Sequence, residues 1–242
     1  LGAYGVPVIA LSATLPPAQR RELLHAYRTG ARRGSPTTTE DPDAEIVALA
    51  GAEDYPLVTT IGAERGQQTT PEPSARRIDY LLEEIEEEQL VDAVLRESEA
   101  GGCIAVICDT VKRAQQTYQA LRERYVGEIA LLHSRFTVES RNRREQQLVH
   151  RLGPGSASRP ERMIVVATQV VESSLDVDFD LMFTDIAPID LLIQRLGRLH
   201  RHPRSLEERP ATMREARAVL TGGAGLPTRA ELPGFDPGVR HV

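Results

Sequence analysis

At 242 residues, 40% apolar and 26% charged, the chain has the composition of a soluble globular protein, with room for one sizeable domain and parts of others. No apolar run is long enough to cross a bilayer, and Leu1–Gly5 lacks both the basic start and the cleavage pattern of a signal peptide, so a cytoplasmic location is expected. The net charge of −6 argues against a nucleic-acid partner only until its distribution is read: glutamates gather at 83–88, while arginines gather at 141–151 and 195–217. One lysine, Lys112, stands against 28 arginines, a bias that genome composition can also produce.

In chain order, Val6–Leu11 reads as a buried strand ended by Ser12-Ala13-Thr14, and Pro16-Pro17 opens a helix over Ala18–Ala31. Residues 34–43 form a polar loop, Tyr55–Ile61 reads as a strand, and Glu64–Ser74 is rich in breakers. A domain boundary is placed within 34–75. From residue 76 a complete α/β unit follows. Its expected strands are Arg76–Leu82, Cys103–Cys108, Ile129–Leu132, Met163–Ala167 and Leu181–Thr184; its helices are Glu86–Ser98, Asp109–Arg124, Val138–Leu152 and Ile189–Leu199. Continuous apolar strands alternating with helices predict a doubly wound parallel sheet. Residues 205–242, rich in Gly and Pro, read as a tail or the start of a further region. Cys103 and Cys108, five residues apart on one strand, face opposite ways and read as small buried hydrophobes rather than a disulfide or zinc pair.

Ligands of a parallel sheet gather beyond the carboxyl ends of its strands. The clusters at such ends are Ser12-Ala13-Thr14, His133-Ser134-Arg135, Thr168–Asp176, and Asp185 with Gln194–His202. In the last, Arg198 and Arg201 are three apart, so a continuous helix would turn both guanidinium forks to one face, where they suit a phosphoryl group or a phosphate backbone. A solvated arginine-rich helix end is the competing interpretation. His133 is either a capping or core residue or a backbone contact. Lys112, at a helix start where its charge opposes the dipole, is either solvated or a phosphate contact. Asp178 and Asp180 read as the bounds of a turn. His200 and His202 lack a convincing third ligand, so no metal site is expected.

Ser12-Ala13-Thr14, then Thr168-Gln169 with Glu172-Ser173-Ser174-Leu175-Asp176, then Gln194-x-x-Gly197-Arg198-x-x-Arg201 resemble motifs three, five and six of superfamily two helicases, in the right order. The longer wording from Val166 to Asp180 and from Gln194 to His202 resembles the CRISPR-associated helicase-nuclease of type I interference systems. Ser173-Ser174, where many wider relatives have Arg-Gly, fits that group. The resemblance implies a RecA-like fold: 1–33 the end of a first motor domain, 34–75 an inter-domain segment, 76–204 the second motor domain.

By the same resemblance, Arg201 is the arginine finger for ATP, Arg198 its neighbour, and Gln194 positions the phosphate or its water. Asp176 touches the ribose or the arginine pair, and Ser12 and Thr14 couple nucleotide state to closure. Thr168, Gln169, Ser134 and Arg135, with Lys112, contact single-stranded DNA through its backbone, without regard to sequence. ATP and Mg²⁺ would be held mainly by the first motor domain, because this chain has no phosphate-cradling glycine loop and no magnesium box. The metal of the nuclease domain would likewise lie elsewhere. Implied partners are that nuclease domain, the first motor domain, single-stranded DNA and a CRISPR RNA-guided surveillance complex. The chain alone is expected to be inactive, and the whole to be a 3′-to-5′ translocase that drives degradation of invading DNA. Another superfamily two helicase or remodelling ATPase, or a non-catalytic α/β binding domain, are the alternatives.

Overall fold

The computed structural model describes residues 1–12, 15–32, 42–72, 77–173 and 175–222. Expectations for Ala13, Thr14, most of the 34–43 loop, Arg76, Ser174 and residues 223–242 fall outside these. The chain divides into two units, Leu1–Arg77 and Ile78–Val242.

In the first unit, helix α1 (Pro17–Ala31) starts where the prolines predict, with Pro17 in the first helical turn. The expected strand Val6–Leu11 is not formed. Those residues carry no ladder, and Ile9 and Leu11 are exposed. The reason is that an apolar strand needs a hydrogen-bonding neighbour, and no described strand of this unit pairs with it. Helix α2 (Pro42–Gly51) takes up the last two residues of the expected loop and the stretch after it, to which sequence reasoning assigns no element. It buries Ile46, Leu49 and Ala50, three residues at helical spacing, and carries Asp43 and Glu45 in its first turn.

Strands β1 (Val58–Ile61) and β2 (Gly66–Thr69) form an antiparallel hairpin, so part of the breaker-rich stretch is a strand after all. Its ordering comes from outside the strand pattern. The Arg28 guanidinium, 2% exposed, pairs with Glu45 at 2.5 Å, and the other Glu45 oxygen accepts from Gly66 N–H at 2.8 Å. A side chain at Gly66 would strike Leu49, since a Cβ there falls 2.4 Å from its Cδ1.

The second unit is built on six parallel strands in the order β3-β8-β7-β4-β6-β5. These are β3 (Tyr80–Ile85), β4 (Gly102–Ile107), β5 (Glu128–Leu132), β6 (Arg162–Ala167), β7 (Leu181–Asp185) and β8 (Ala216–Thr221). The helices are α3 (Leu90–Ser98), α4 (Val111–Arg124), α5 (Val138–Leu152), the short α6 (Val170–Ser173) and α7 (Ile189–Leu196). The expected doubly wound α/β architecture is present. Strand alternation splits β4 between two cores. Cys103, Ala105 and Ile107 pack with Leu148, Leu152 and Leu199, while Ile104, Val106 and Cys108 pack with Leu90, Val94 and Leu121. Both cysteines are buried and free, and burial pushes each thiol up to about 12.

Two sequence expectations are corrected here. The stretch beyond residue 204 is not all tail: β8 is an interior strand between β3 and β7, and its small buried residues Ala216 and Ala218 fill the sheet. The last helix stops at Leu196 rather than Leu199. Gly197 ends it, His200 takes a positive φ of 50°, and Leu199 instead forms a bridge with Phe179.

Candidate functional site

Strands β4, β6 and β7 are neighbours and parallel, so their carboxyl ends lie side by side. β4 ends at Ile107, and beyond Asp109 the Thr110 side chain caps α4 by accepting from Arg113 N–H at 3.2 Å. Asp185, at the end of β7, ties this edge together. It accepts from Arg113 Nε at 2.9 and 2.8 Å, from Asp109 N–H at 2.9 Å and from the Thr221 hydroxyl at 2.7 Å. Lys112, in the first turn of α4, is exposed.

Past β5, His133 is buried and stacked on Phe136, with ring centroids 4.1 Å apart and planes 3° from parallel. This supports the core interpretation of His133, and burial pushes its proton affinity down. Ser134 and Arg135 are exposed on the same loop. Thr168 is buried, its N–H donating to Leu132 C=O at 3.1 Å, whereas Gln169 is exposed and donates to the Asp109 carbonyl at 2.7 Å. Four of the five candidate DNA contacts are therefore at the surface near these strand ends. Thr168 is covered.

The motif 194–202 meets the segment 171–180 along its length. Arg195 Nε donates to Glu172 at 2.7 Å; Arg198 donates to the Val171 and Glu172 carbonyls at 3.2 and 2.7 Å; Arg201 Nε donates to Asp176 at 2.5 Å; Arg204 Nε donates to Asp178 at 2.6 Å. Arginines three apart thus face successive acceptors, although the shared helical face expected for Arg198 and Arg201 is lost with the early helix end. The two remain close enough for the Arg201 charge to add to burial in pushing Arg198 below its ordinary value. The hydrogen bond from Arg201 holds the Asp176 carboxyl below the usual range. Gln194 is half-buried on α7, and Ser12 is exposed in the first unit.

Asp178 and Asp180 do not bound an open turn. Both are buried, and with Arg159, Arg204 and Arg209 they form an ionic network; Asp180 also accepts the Cys103 N–H at 2.7 Å. Burial without pairing would have been prohibitive, which is why the arginines accompany them. Among the described residues no group of three or more His, Cys, Asp or Glu is arranged to hold a metal ion. Arg195, to which sequence reasoning assigns no role, is fully buried, with Glu172 and Asp109 as partners. Its place inside the Gln194–Arg201 motif was the only signal.

Similarity to known proteins follows the same region. The family profile described as CRISPR-associated nuclease/helicase Cas3, C-terminal, matches residues 100–204. The CRISPR-associated nuclease/helicase Cas3 of Streptococcus thermophilus is 37% identical over 243 residues, covering 100% of this chain and 24% of that protein. The chain belongs to the Cas3 family. It spans about a quarter of the length of the curated relatives it matches. A crystal structure of T. fusca Cas3 with AMPPNP matches at TM-score 0.73 and 31% identity, over 96% of this chain and 28% of that one. A chain of a CRISPR RNA-guided surveillance complex before nicking matches at TM-score 0.75 and 29% identity, over 93% of this chain and 29% of that one. The parallel sheet with helices on both faces is the RecA-like motor architecture of the Cas3 structures.

Two buried histidines, His133 and His200, and the half-buried His202 give this unit a pH dependence. Burial pushes His133, His200 and His202 below the ordinary 6.5. Between that value and each folded value the unfolded chain binds more protons, so stability is full above 6.5 and falls as pH drops below it. The melting temperature should fall between pH 7 and about 5, above the carboxylate range. A flat profile there would contradict buried neutral imidazoles.

Proposed function

We propose that the chain is the second-motor part of an ATP-dependent translocase on single-stranded DNA that drives degradation of invading DNA in type I CRISPR interference. Residues 76–204, with β8 added to them, make the second motor domain; 1–33 are the edge of the first, and 34–75 the segment between. The observation that carries this reading is the Arg198–Arg201 pair, two adjacent guanidiniums held on a rigid ladder beyond a RecA-like sheet. Planar forks of this kind suit phosphoryl oxygens. The T. fusca Cas3 complex with AMPPNP and the surveillance complex support nucleotide and effector partners for the whole protein.

The donors present fit part of a nucleotide site. Arg201 and Arg198 would meet the γ-phosphate, Gln194 the phosphate or its water, and Asp176 the ribose or the arginines. ATP, when bound, supplies the transferable phosphoryl group, and Mg²⁺ would be held by the first motor domain. Ser12 and Thr14 would transmit nucleotide state to closure. On the DNA side, Lys112, Ser134, Arg135 and Gln169 would hold backbone phosphates, with Thr168 beneath them, and movement would run 3′ to 5′.

Binding of fluorescent single-stranded oligonucleotides to this chain tests the DNA half. Affinity should be weak, indifferent to sequence and steeply salt-dependent, and Arg135→Ala should lower the salt slope by about 1. Salt-independent binding, or a strong sequence preference, would contradict backbone recognition.

A further inference from the structure

A closed ring of hydrogen bonds joins the two halves of the site. Arg195, fully buried, reaches four acceptors at two strand ends and on α6: Glu172 Oε1 at 2.7 Å, the Thr184 hydroxyl at 2.8 Å, the Asp185 carbonyl at 2.9 Å and Asp109 Oδ1 at 2.9 Å. Asp109 works in two directions. Its carboxylate takes Arg195 and its carbonyl takes the exposed Gln169 side chain at 2.7 Å. Glu172 does the same: its carboxylate takes Arg195, and its carbonyl takes Arg198 at 2.7 Å. The ring is closed by Glu172 N–H donating to the Gln169 carbonyl at 2.9 Å.

We propose that Asp109 is a positioning residue that couples occupancy of the DNA surface at Gln169 to the placement of Arg198, through Arg195 and Glu172. The inference rests on the functional reading above. The side chain of Asp109 is 40% exposed while its partner Arg195 is 0% exposed, so the ring reaches solvent at Asp109 and at the exposed Gln169. A phosphate arriving there brings negative charge beside Asp109. It repels that carboxylate and competes for the Gln169 amide, and both effects loosen the Asp109 hold on Arg195. Because interiors of this kind are packed and poorly screened, the disturbance is felt at Glu172, whose carbonyl aims Arg198. The Arg195 guanidinium answers by shifting among its partners.

The test uses the longer protein with both motor halves, comparing ATP turnover with and without a single-stranded oligonucleotide. Asp109→Asn keeps an acceptor oxygen and removes the charge. It should lower the DNA-stimulated rate about tenfold, a size usual for coupling between sites, and leave the unstimulated rate and the half-saturating DNA concentration within about twofold. Gln169→Ala, at an exposed position, should lower stimulation too, and the double variant should lose no more than the larger single loss. Normal stimulation in a folded Asp109→Asn, or multiplicative losses in the double variant, would overturn the coupling role. If Asp109→Asn fails to fold, undiminished stimulation in Gln169→Ala overturns it instead. A wild-type protein whose ATP turnover ignores single-stranded DNA would overturn the functional reading itself.

Discussion

Replacing Arg201 by alanine in the longer protein should lower DNA-stimulated ATP turnover by at least about 10²-fold, with a much smaller change in nucleotide affinity. In this structure Arg201 is bound to Asp176, a pair whose side chains are 38% and 49% exposed. Half-exposed ion pairs of this kind contribute about 0–1 kcal/mol, so exchanging the carboxylate for a phosphoryl oxygen costs little. The contact with phosphate would strengthen as charge develops in the transition state, and its loss then appears in turnover rather than in binding. Arg201→Lys should recover only part of the rate, since an ammonium is a point charge without the planar fork. The competing view takes Arg201 as the structural partner of Asp176, and on that view the alanine variant turns over ATP normally and loses at most about 1 kcal/mol of stability. Steady-state ATPase assays, nucleotide affinity and a melting curve together separate the two. Wild-type-like turnover in a folded variant would sink the finger assignment.

The second unit was legible where burial on both faces leaves an unbroken apolar run. Strands β4, β6 and β7 fall within one or two residues of expectation, and α5 matches at both ends because Thr137 caps it and Gly153 stops it. Strand β8 was not legible. Its two neighbours are β3, about 130 residues earlier, and β7, so nothing local announces an interior position. The short α7 has the same cause: Leu199 pairs with Phe179, a choice helical periodicity cannot anticipate. Among site residues, the motif positions were visible as residue types in order. Their partners were not. That Arg195 would be buried among Asp109, Glu172 and Thr184 depends on how three strand ends meet, which only the fold determines. Likewise Asp178 and Asp180 looked like turn residues until Arg159 and Arg209 were brought to them from distant loops.

That buried network carries the largest expected loss of stability. Asp178, with no exposed surface, accepts from Arg204 Nε at 2.6 Å and from Arg209 at 3.0 Å to each oxygen, with Arg159 3.7 Å away. Burial alone would raise its proton affinity, but the Arg204 and Arg209 contacts outweigh it and hold the carboxyl below its ordinary 3.8. Asp178→Ala would leave Arg159 and Arg209 sharing Asp180, and Arg204 with the exposed Glu208 3.8 Å away. Removing one partner of a buried ion pair costs about 3–5 kcal/mol, because the remaining charge can neither rehydrate nor, for arginine, neutralise itself. For a chain of this size that is a fall in Tm of roughly 6–20 °C. Asp176→Ala, two residues away in sequence but half-exposed in structure, should cost no more than about 1 kcal/mol. Thermal and urea unfolding of the two variants side by side make the comparison. Equal losses would mean that burial is not what sets the worth of these carboxylates. The acid limb gives a second reading of the same site: since the folded carboxyl lies below its unfolded value, its contribution is present above 3.8 and disappears as pH falls through the folded value. The Asp178→Ala variant should therefore lose part of the wild-type acid sensitivity as well as its stability at neutral pH.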